Sequence, residues 1–434
     1  MVFKSNKREE KAEKRALPIV LFTVFLDSIG IGILIPLLPQ MLYKIFLPAG
    51  YSYHTAYILL GWLTGMYALM QFVSTPILGQ LSDRFGRKRV LGLSLFSTAL
   101  GYALLALGIM TKNIPLLFIA RAIAGLAGGN ISVARAVVAD ISSVEHRTRN
   151  FGLIGAAFGM GFVFGPFVGA RMSVPHANFF GLHTPSWFGT ATPFWLAVVL
   201  GAINIALLII RLPETNKYRN NARIVWTKSL SNIRLAATSR SLRTILATEF
   251  TFWGGFTFFA TFLQLQLIQR LRLNTGDLGD FFAYIGICIA LAQGAIIPVL
   301  AKRFKNHQVV RAGMLLMAGA LALQLKVHST TELLIVGALI ASCYSVLMTN
   351  VSALVSSSAG PEIQGEVLGI EASVQALGES TPAIIAGYIA TIGIDTPNIV
   401  GASVVLAGGL LFNLFYRSQR DVLHQSSYAE VQAS

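Results

Sequence analysis

Runs of about 20 mostly apolar residues constrain this chain more than any other feature, because a helix needs about that length to cross the hydrocarbon of a bilayer. Twelve such runs follow one another along its 434 residues, roughly 17–39, 55–78, 90–110, 114–138, 151–171 and 193–211, then 243–266, 280–300, 309–327, 331–355, 367–391 and 397–416. Spans this dense must be helices, since an open sheet would strand backbone polar groups in lipid and a barrel would show short alternating strands. Composition agrees: charged residues make up 12% of the chain, about half the share of an ordinary soluble domain. That balance excludes a disordered chain. Two cysteines, Cys288 and Cys343, both in apolar runs, exclude a disulfide scaffold.

The net charge of +15 would fit nucleic acid if it were gathered on a soluble module, and none is visible. With the N-terminus placed inside, the inner segments hold 26 of the 34 basic residues and the outer loops six. The positive-inside rule then predicts both termini in the cytoplasm. The N-terminal stretch is no secretory signal, because its apolar run is too long and no small-residue cleavage site follows. The seven histidines fall in loops or near span ends without metal-ligand spacing, so neither metal nor cofactor is expected.

The longest inner loop divides the spans six and six. The expected organisation is a cytoplasmic segment 1–16, a six-helix bundle 17–211, a linker 212–242, a second six-helix bundle 243–416 and a tail 417–434. In the linker, Trp226, Leu230 and Ile233 follow helical spacing among Arg219, Arg223, Lys228 and Arg234, which fits either an interfacial amphipathic helix or a solvated tether. The aromatic outer segment 173–192, with Phe179, Phe180, Trp187 and Phe188, is expected to lie at the membrane surface. Paired six-span halves are a transporter arrangement with its site at the midplane.

Polar residues inside the spans mark that site. Asp27 lies roughly 15 Å from the inner end of the first span, where a charge costs about 2.5–3.5 kcal/mol or more. It persists there either permanently paired to an arginine, which Arg121 of the fourth span offers, or with a function; the favoured role is a proton carrier whose protonation weakens its tie to Arg121. In the fourth span Gly125, Gly128, Ser132 and Arg135 fall within about 40° of Arg121, a face that should line a cavity or pack inside the bundle. Arg135 either snorkels or makes the vestibule attractive to anions. In the second half, Glu249, Gln264, Glu371, Gln375 and Glu379 are the candidates for a substrate cavity. Glu379 is nearest the midplane and is the better candidate for proton coupling, whereas Glu249 and Glu371 lie close enough to the inner end that a solvated placement fits as well as a place in the cavity.

Two further motifs identify a family. The loop Gly79-Gln-Leu-Ser-Asp83-Arg84-Phe-Gly86-Arg87-Lys88-Arg89 resembles the signature loop of the major facilitator superfamily. The resemblance implies a gating latch of Gly79, Asp83, Arg84, Gly86 and Arg87, with Asp83 meeting the start of span eleven and Arg87 paired with Asp140. It also associates Arg121 and its glycines with proton coupling. Span five carries Gly155, Gly159, Gly165, Pro166 and Gly169, a glycine seam with one bend, and resembles the antiporter motif of drug/proton exporters. Over roughly residues 20–170 the chain is similar to the tetracycline-resistance branch of these antiporters. Glu371, Glu379 and the long outer loop depart from that pattern.

The expected fold is therefore an all-α integral membrane protein of the major facilitator type. The expected activity is proton-coupled export of a small amphipathic compound by alternating access, from a monomer in a bacterial inner membrane. Its partners are a small-molecule substrate, protons and lipid, with no nucleic acid. A proton-coupled importer and a non-transporting sensor remain open. An enzyme is not expected, because no nucleophile–base pair or phosphate loop is present.

Overall fold

The computed structural model describes residues 2–142, 144–179, 182–216, 224–227, 240–357 and 364–416. Among the described residues, twelve helical segments follow the order of the expected spans. The first half comprises α1 (Ala16–Phe46), α2 (Tyr53–Phe85), α3 (Arg87–Met110), α4 (Ile114–Ile141), α5 (Val144–Met172) and α6 (Thr192–Arg211). The second comprises α7 (Arg240–Leu271), α8 (Thr275–Arg303), α9 (Asn306–Gln324), α10 (Thr330–Ser357), α11 (Gln364–Ile389) and α12 (Thr396–Phe415). Among the described residues nine of these, α1–α6, α8, α10 and α12, are long and apolar enough to cross a membrane. Two of the other three carry the buried glutamates, Glu249 on α7 and Glu371 on α11.

Local chemistry sets the helix ends. Ser52 accepts the N–H of Thr55 at 3.2 Å and Asn113 that of Leu116 at 3.1 Å, so both cap helix starts. Asn274 and Asp277 form a reciprocal capping box on α8. Proline interrupts two helices. α1 passes through a 3-10 turn at Ile35–Leu37 and ends in a π-type turn, so it runs on to Phe46 rather than stopping near residue 39. α8 has a π-type turn at Ala292–Ile296, just before Pro298, whose missing N–H removes one helical bond.

The apolar core has three parts. One belongs to α7–α12 alone, built around Phe252, Trp253, Met314 and Phe412. One belongs to the first half alone, on the face that carries the Gly79–Arg89 loop, built around Val20, Leu91, Val137 and Leu208. The third, on the opposite face, is shared: Ile33, Phe46, Leu60 and Phe194 pack with Phe258, Phe262 and Ala386. We call these ends the latch face and the loop face.

The halves meet along α2/α11 and α5/α8 toward the loop face. A Cβ on Gly61 would lie 2.8 Å from Gly387 Cα, and one on Gly279 would lie 2.7 Å from Ala170 Cβ. Arg171 pairs with Asp280 across the second seam. Gln40 donates to Ser173 at 2.8 Å and to Thr275 at 3.3 Å, and accepts from Thr190 at 2.6 Å. Toward the latch face, by contrast, a Cβ on Gly152, Gly155, Gly294 or Gly369 would meet nothing within 4 Å. The structure is closed at the loop face and splayed at the latch face.

Segment 173–192 holds a two-residue antiparallel pairing, Asn178–Phe179 with Leu182–His183. Trp187 is 74% exposed there, consistent with a surface position, while Phe180 lies outside the described residues. In the linker, Trp226 is exposed. Leu230, Ile233, Arg219, Arg223, Lys228 and Arg234 lie outside the described residues, as does the tail from 417.

Candidate functional site

Asp27 sits on α1, half-buried in a crevice lined by Thr98, Tyr102 and Asn204 of α3 and α6. Its carboxylate accepts a hydrogen bond from Asn130 Nδ2 of α4. The expected direct tie to Arg121 is not made. Asn130 lies nine residues beyond Arg121, roughly 13 Å along a helix, so one carboxylate does not serve both. Arg121 is buried and donates through Nε to Leu63 O at 3.1 Å and through Nη2 to Thr64 O at 3.5 Å. Its guanidinium lies 4.6 Å from the centre of the Tyr67 ring, a cation–π distance.

Tyr67 is what joins the candidates. Its hydroxyl is within electrostatic reach of Asp27, Arg121 and Glu379, which come from α1, α4 and α11. Tyr102, packed against Gly30, feels Tyr67, Asp27 and Arg121 in turn. Glu379 accepts a hydrogen bond from Gln375 Nε2 at 2.9 Å. Three ionisable groups of the sequence reading thus lie within electrostatic reach of one tyrosine, and Arg121 packs on its ring. Tyr67, Tyr102 and Asn130 were not in that reading. Their signal was polarity within apolar runs, which is weak for tyrosine because its ring suits an apolar neighbourhood.

The glycine faces are redistributed. α4 is two helices, Ile114–Ala127 and Asn130–Ile141, broken at Gly128-Gly129, so a 100° projection does not carry across the break. Gly125, Gly128 and Gly129 press on α2 at Tyr67, Met70 and Thr75, and Ser132 Oγ donates to Thr75 O at 3.1 Å. That face packs inside the bundle. Arg135 instead reaches Glu249 and Glu371 electrostatically across the two halves. On α5, Gly161, Gly165 and Gly169 meet α1 at Phe25, Ile29 and Ile33, and Gly32 packs against Pro166. Gly159 faces Gln293 of α8 at 3.5 Å and Gly155 faces open space. The expected single seam is therefore two: one holds α1, the other fronts the opposite half. Gly161 belongs to the first and was missed.

Glu249 and Glu371 are not solvated; they are 2% and 6% exposed, and one oxygen of each lacks a hydrogen-bond partner. Gln264, 1% exposed, has neither its nitrogen nor its oxygen partnered.

The latch pairs as expected on one side. Arg87 Nε donates to Asp140 Oδ2 at 3.1 Å, and Arg87 Nη1 lies 2.5 Å from Asp83 and 2.6 Å from Ser82 Oγ. Asp83, 49% exposed, is committed to Arg87 in this state. Its expected partner, the start of α11, lies at the edge of the described residues. Arg84 is exposed over Phe85, and a Cβ added to Gly79 would lie 4.0 Å from Ser132 Oγ. Gly86 has φ +103°, and a Cβ there would run into Glu214. Glu214 accepts the Arg87 N–H at 2.8 Å, capping α3, while Asn216 donates to Asp83 O at 2.8 Å and Thr215 to Asp140 at 3.3 Å. The sequence reading left Glu214 out, although one acid within a basic linker was its signal.

Among the described residues no group of three or more His, Cys, Asp or Glu side chains is placed to hold a metal. A family model described as Major Facilitator Superfamily matches residues 20–378 and 296–433. The tetracycline resistance protein, class C, of Escherichia coli is 31% identical over 409 residues, covering 90% of this chain and 94% of that protein. The crystal structure of the human organic anion transporter MFSD10 (TETRAN) superposes with a TM-score of 0.71 at 24% identity, covering 92% of this chain and 99% of that one. The D-xylose–proton symporter superposes with a TM-score of 0.73 at 14% identity, covering 92% and 97%. The last two likenesses concern the fold.

Proposed function

The chain belongs to the major facilitator superfamily, integral membrane transporters of small molecules and not enzymes, and from that premise we propose that it is a proton-driven exporter of an amphipathic organic compound. The features that support this reading are Arg121 packed on the Tyr67 ring, the Asn130–Asp27 hydrogen bond inside the bundle, and the electrostatic reach of Tyr67 to Asp27 and to Glu379 of the other half. An acid in the membrane interior is costly and marks ion pathways. Loading a proton on Asp27 removes a charge that Tyr67 and Tyr102 relay to Arg121 and, through Tyr67, to Glu379 of the other half. The charge state of one half then biases how the halves meet. Export rather than import is supported by the α5 glycines and by a relative named for tetracycline resistance.

In this reading the 17–211 and 243–416 bundles rock as units, the latch face is cytoplasmic, and the open state loads substrate from inside. The protein works as a monomer in a bacterial inner membrane. At about 100 mV and one pH unit a single proton supplies about 3.7 kcal/mol, enough for a gradient of roughly 500-fold.

The test uses proteoliposomes with an imposed proton gradient and tetracycline as probe. The wild-type chain accumulates it in the antiport direction, and Asp27→Asn loses the gradient dependence at equal protein content. Gradient-driven transport of ordinary rate in Asp27→Asn would remove Asp27 as carrier. Transport only in the symport direction would favour import.

A further inference from the structure

Both ends of the outer segment 173–192 are tied to one side chain, Gln40. It lies near the end of α1, where Pro36 and Pro39 interrupt the regular helix ahead of the π-type turn that carries Lys44. Gln40 is 6% exposed, and its amide is fully used. Nε2 donates to Ser173 Oγ at 2.8 Å and to Thr275 Oγ1 at 3.3 Å. Oε1 accepts from Thr190 Oγ1 at 2.6 Å and from Lys44 Nζ at 3.0 Å. An amide offers two donors and two acceptor sites, so all of them are filled.

Proton bookkeeping admits one orientation of that amide. Lys44 can only donate, so the Gln40 atom facing it is the carbonyl oxygen. Ser173 gives its own proton to Ala170 O at 2.8 Å, so it accepts from Gln40. Thr190 gives its proton to Gln40 and lies 3.5 Å from Lys44 Nζ. These three partners belong to the first half and aim the amide; the fourth, Thr275, opens α8 in the second half. The segment is also knit at its base, because Thr184 Oγ1 donates to Val174 O at 2.7 Å and accepts the Ala177 N–H at 2.8 Å. Arg171 and Asp280 join the same two helices, but the Asp280 side chain is 58% exposed, and ion pairs so open to water contribute little. The buried amide is the more demanding contact, since an unmade bond there is costly.

We propose that Gln40 is the positioning residue of the gate at the loop face, and that the segment 173–192 acts through it. Ser173 and Thr190 hold the amide in the orientation that grips Thr275, so the segment sets how firmly the loop face stays shut. The inference rests on the rocking reading, in which the loop face is the outer one, and gives the long outer segment a role in that cycle. When α8 withdraws, Thr275 leaves and the other three partners remain with the first half. The amide stays aimed, and the gate recloses on a contact that is already oriented.

The test reads opening as the rate at which a buried cysteine is labelled from outside. In the full chain with Cys288 and Cys343 replaced by alanine, Ser380→Cys, fully buried in the α2/α11 seam, meets a membrane-impermeant maleimide in intact cells. Thr275→Val keeps the side-chain shape and removes the hydroxyl that meets Gln40; labelling is expected to quicken about three- to tenfold, the worth of one neutral hydrogen bond. Thr190→Val removes a bond made within the first half, yet labelling is expected to quicken about two- to fivefold. In the Thr275→Val background it should add less than its own single effect, because both act through Gln40. Unchanged labelling in Thr190→Val, even with a lowered Tm, overturns the role of the segment, and so does full additivity of the two valines. Unchanged labelling in Thr275→Val overturns the gate contact. Should labelling respond as expected while tetracycline shows no gradient-driven movement in proteoliposomes, the export reading falls and the gate stands. Gradient-driven export with labelling indifferent to both valines removes the gate alone.

Discussion

Replacing Gly61 by alanine should push the protein toward the state open at the loop face. In the closed structure the added Cβ would lie 2.8 Å from Ala383 O and Gly387 Cα and 2.9 Å from Gly387 N. All three are backbone atoms, so no side chain can rotate away. Ordinary contact starts at about 3.4 Å, so α2 and α11 must part by about 0.6 Å. Overpacking of this kind costs about 1–3 kcal/mol, and the cost vanishes once the helices separate. The ratio of closed to open molecules should therefore fall about 5- to 150-fold. Ser380 on α11 reports the change, because it is fully buried in the same seam. With Cys288 and Cys343 replaced by alanine, a Ser380→Cys reporter should react faster with a membrane-impermeant maleimide added outside when Gly61→Ala is present, and tetracycline export should slow. Unchanged labelling with unchanged export would refute the seam as the closing contact.

Other outcomes follow from single contacts. Arg87→Lys removes the fork that spans Asp83 and Asp140, and a lysine is not its equivalent; turnover should fall about tenfold while substrate Kd holds within about twofold, and unchanged turnover would count against a latch. Gly86→Ala places a side chain at φ +103° and against Glu214, costing about 1–3 kcal/mol, so a thermal melt should show a lower Tm. Asn130→Ala leaves the Asp27 carboxylate without its donor; gradient-driven transport should drop about ten- to hundredfold, the worth of a hydrogen bond to a charged group, with substrate binding retained in an equilibrium titration.

The fold was legible because hydrocarbon imposes one length and one pattern on every span. The latch was legible because closely spaced glycines and alternating charges in a short loop leave few arrangements, and Arg87 does meet Asp140. The site was legible only in part. Asp27, Arg121 and Glu379 stood out as polar groups in apolar runs, but Tyr67, which lies within electrostatic reach of all three, did not, because a tyrosine in such a run looks like core. Asp27 and Arg121 were read as a direct pair because helical projection gives direction but not height along the membrane. The Gly128-Gly129 break defeated even the direction beyond it. Glu249 and Glu371 were left open between solvent and cavity because burial depends on which helices close over them, a property of packing rather than of either helix.

The chain leaving α6 does not run free toward the second half. Glu214, Thr215 and Asn216 are stitched to the Arg87 amide, the Asp140 carboxylate and the Asp83 carbonyl. In the rocking proposed above, drawing the second half away would pull on this strand, and the strand on the loop proposed as the latch. The connector therefore acts as a drawstring: its slack becomes a rate-setting length. Shortening it should stiffen the cycle and lengthening it should blunt the pull, without a single residue in the membrane being touched.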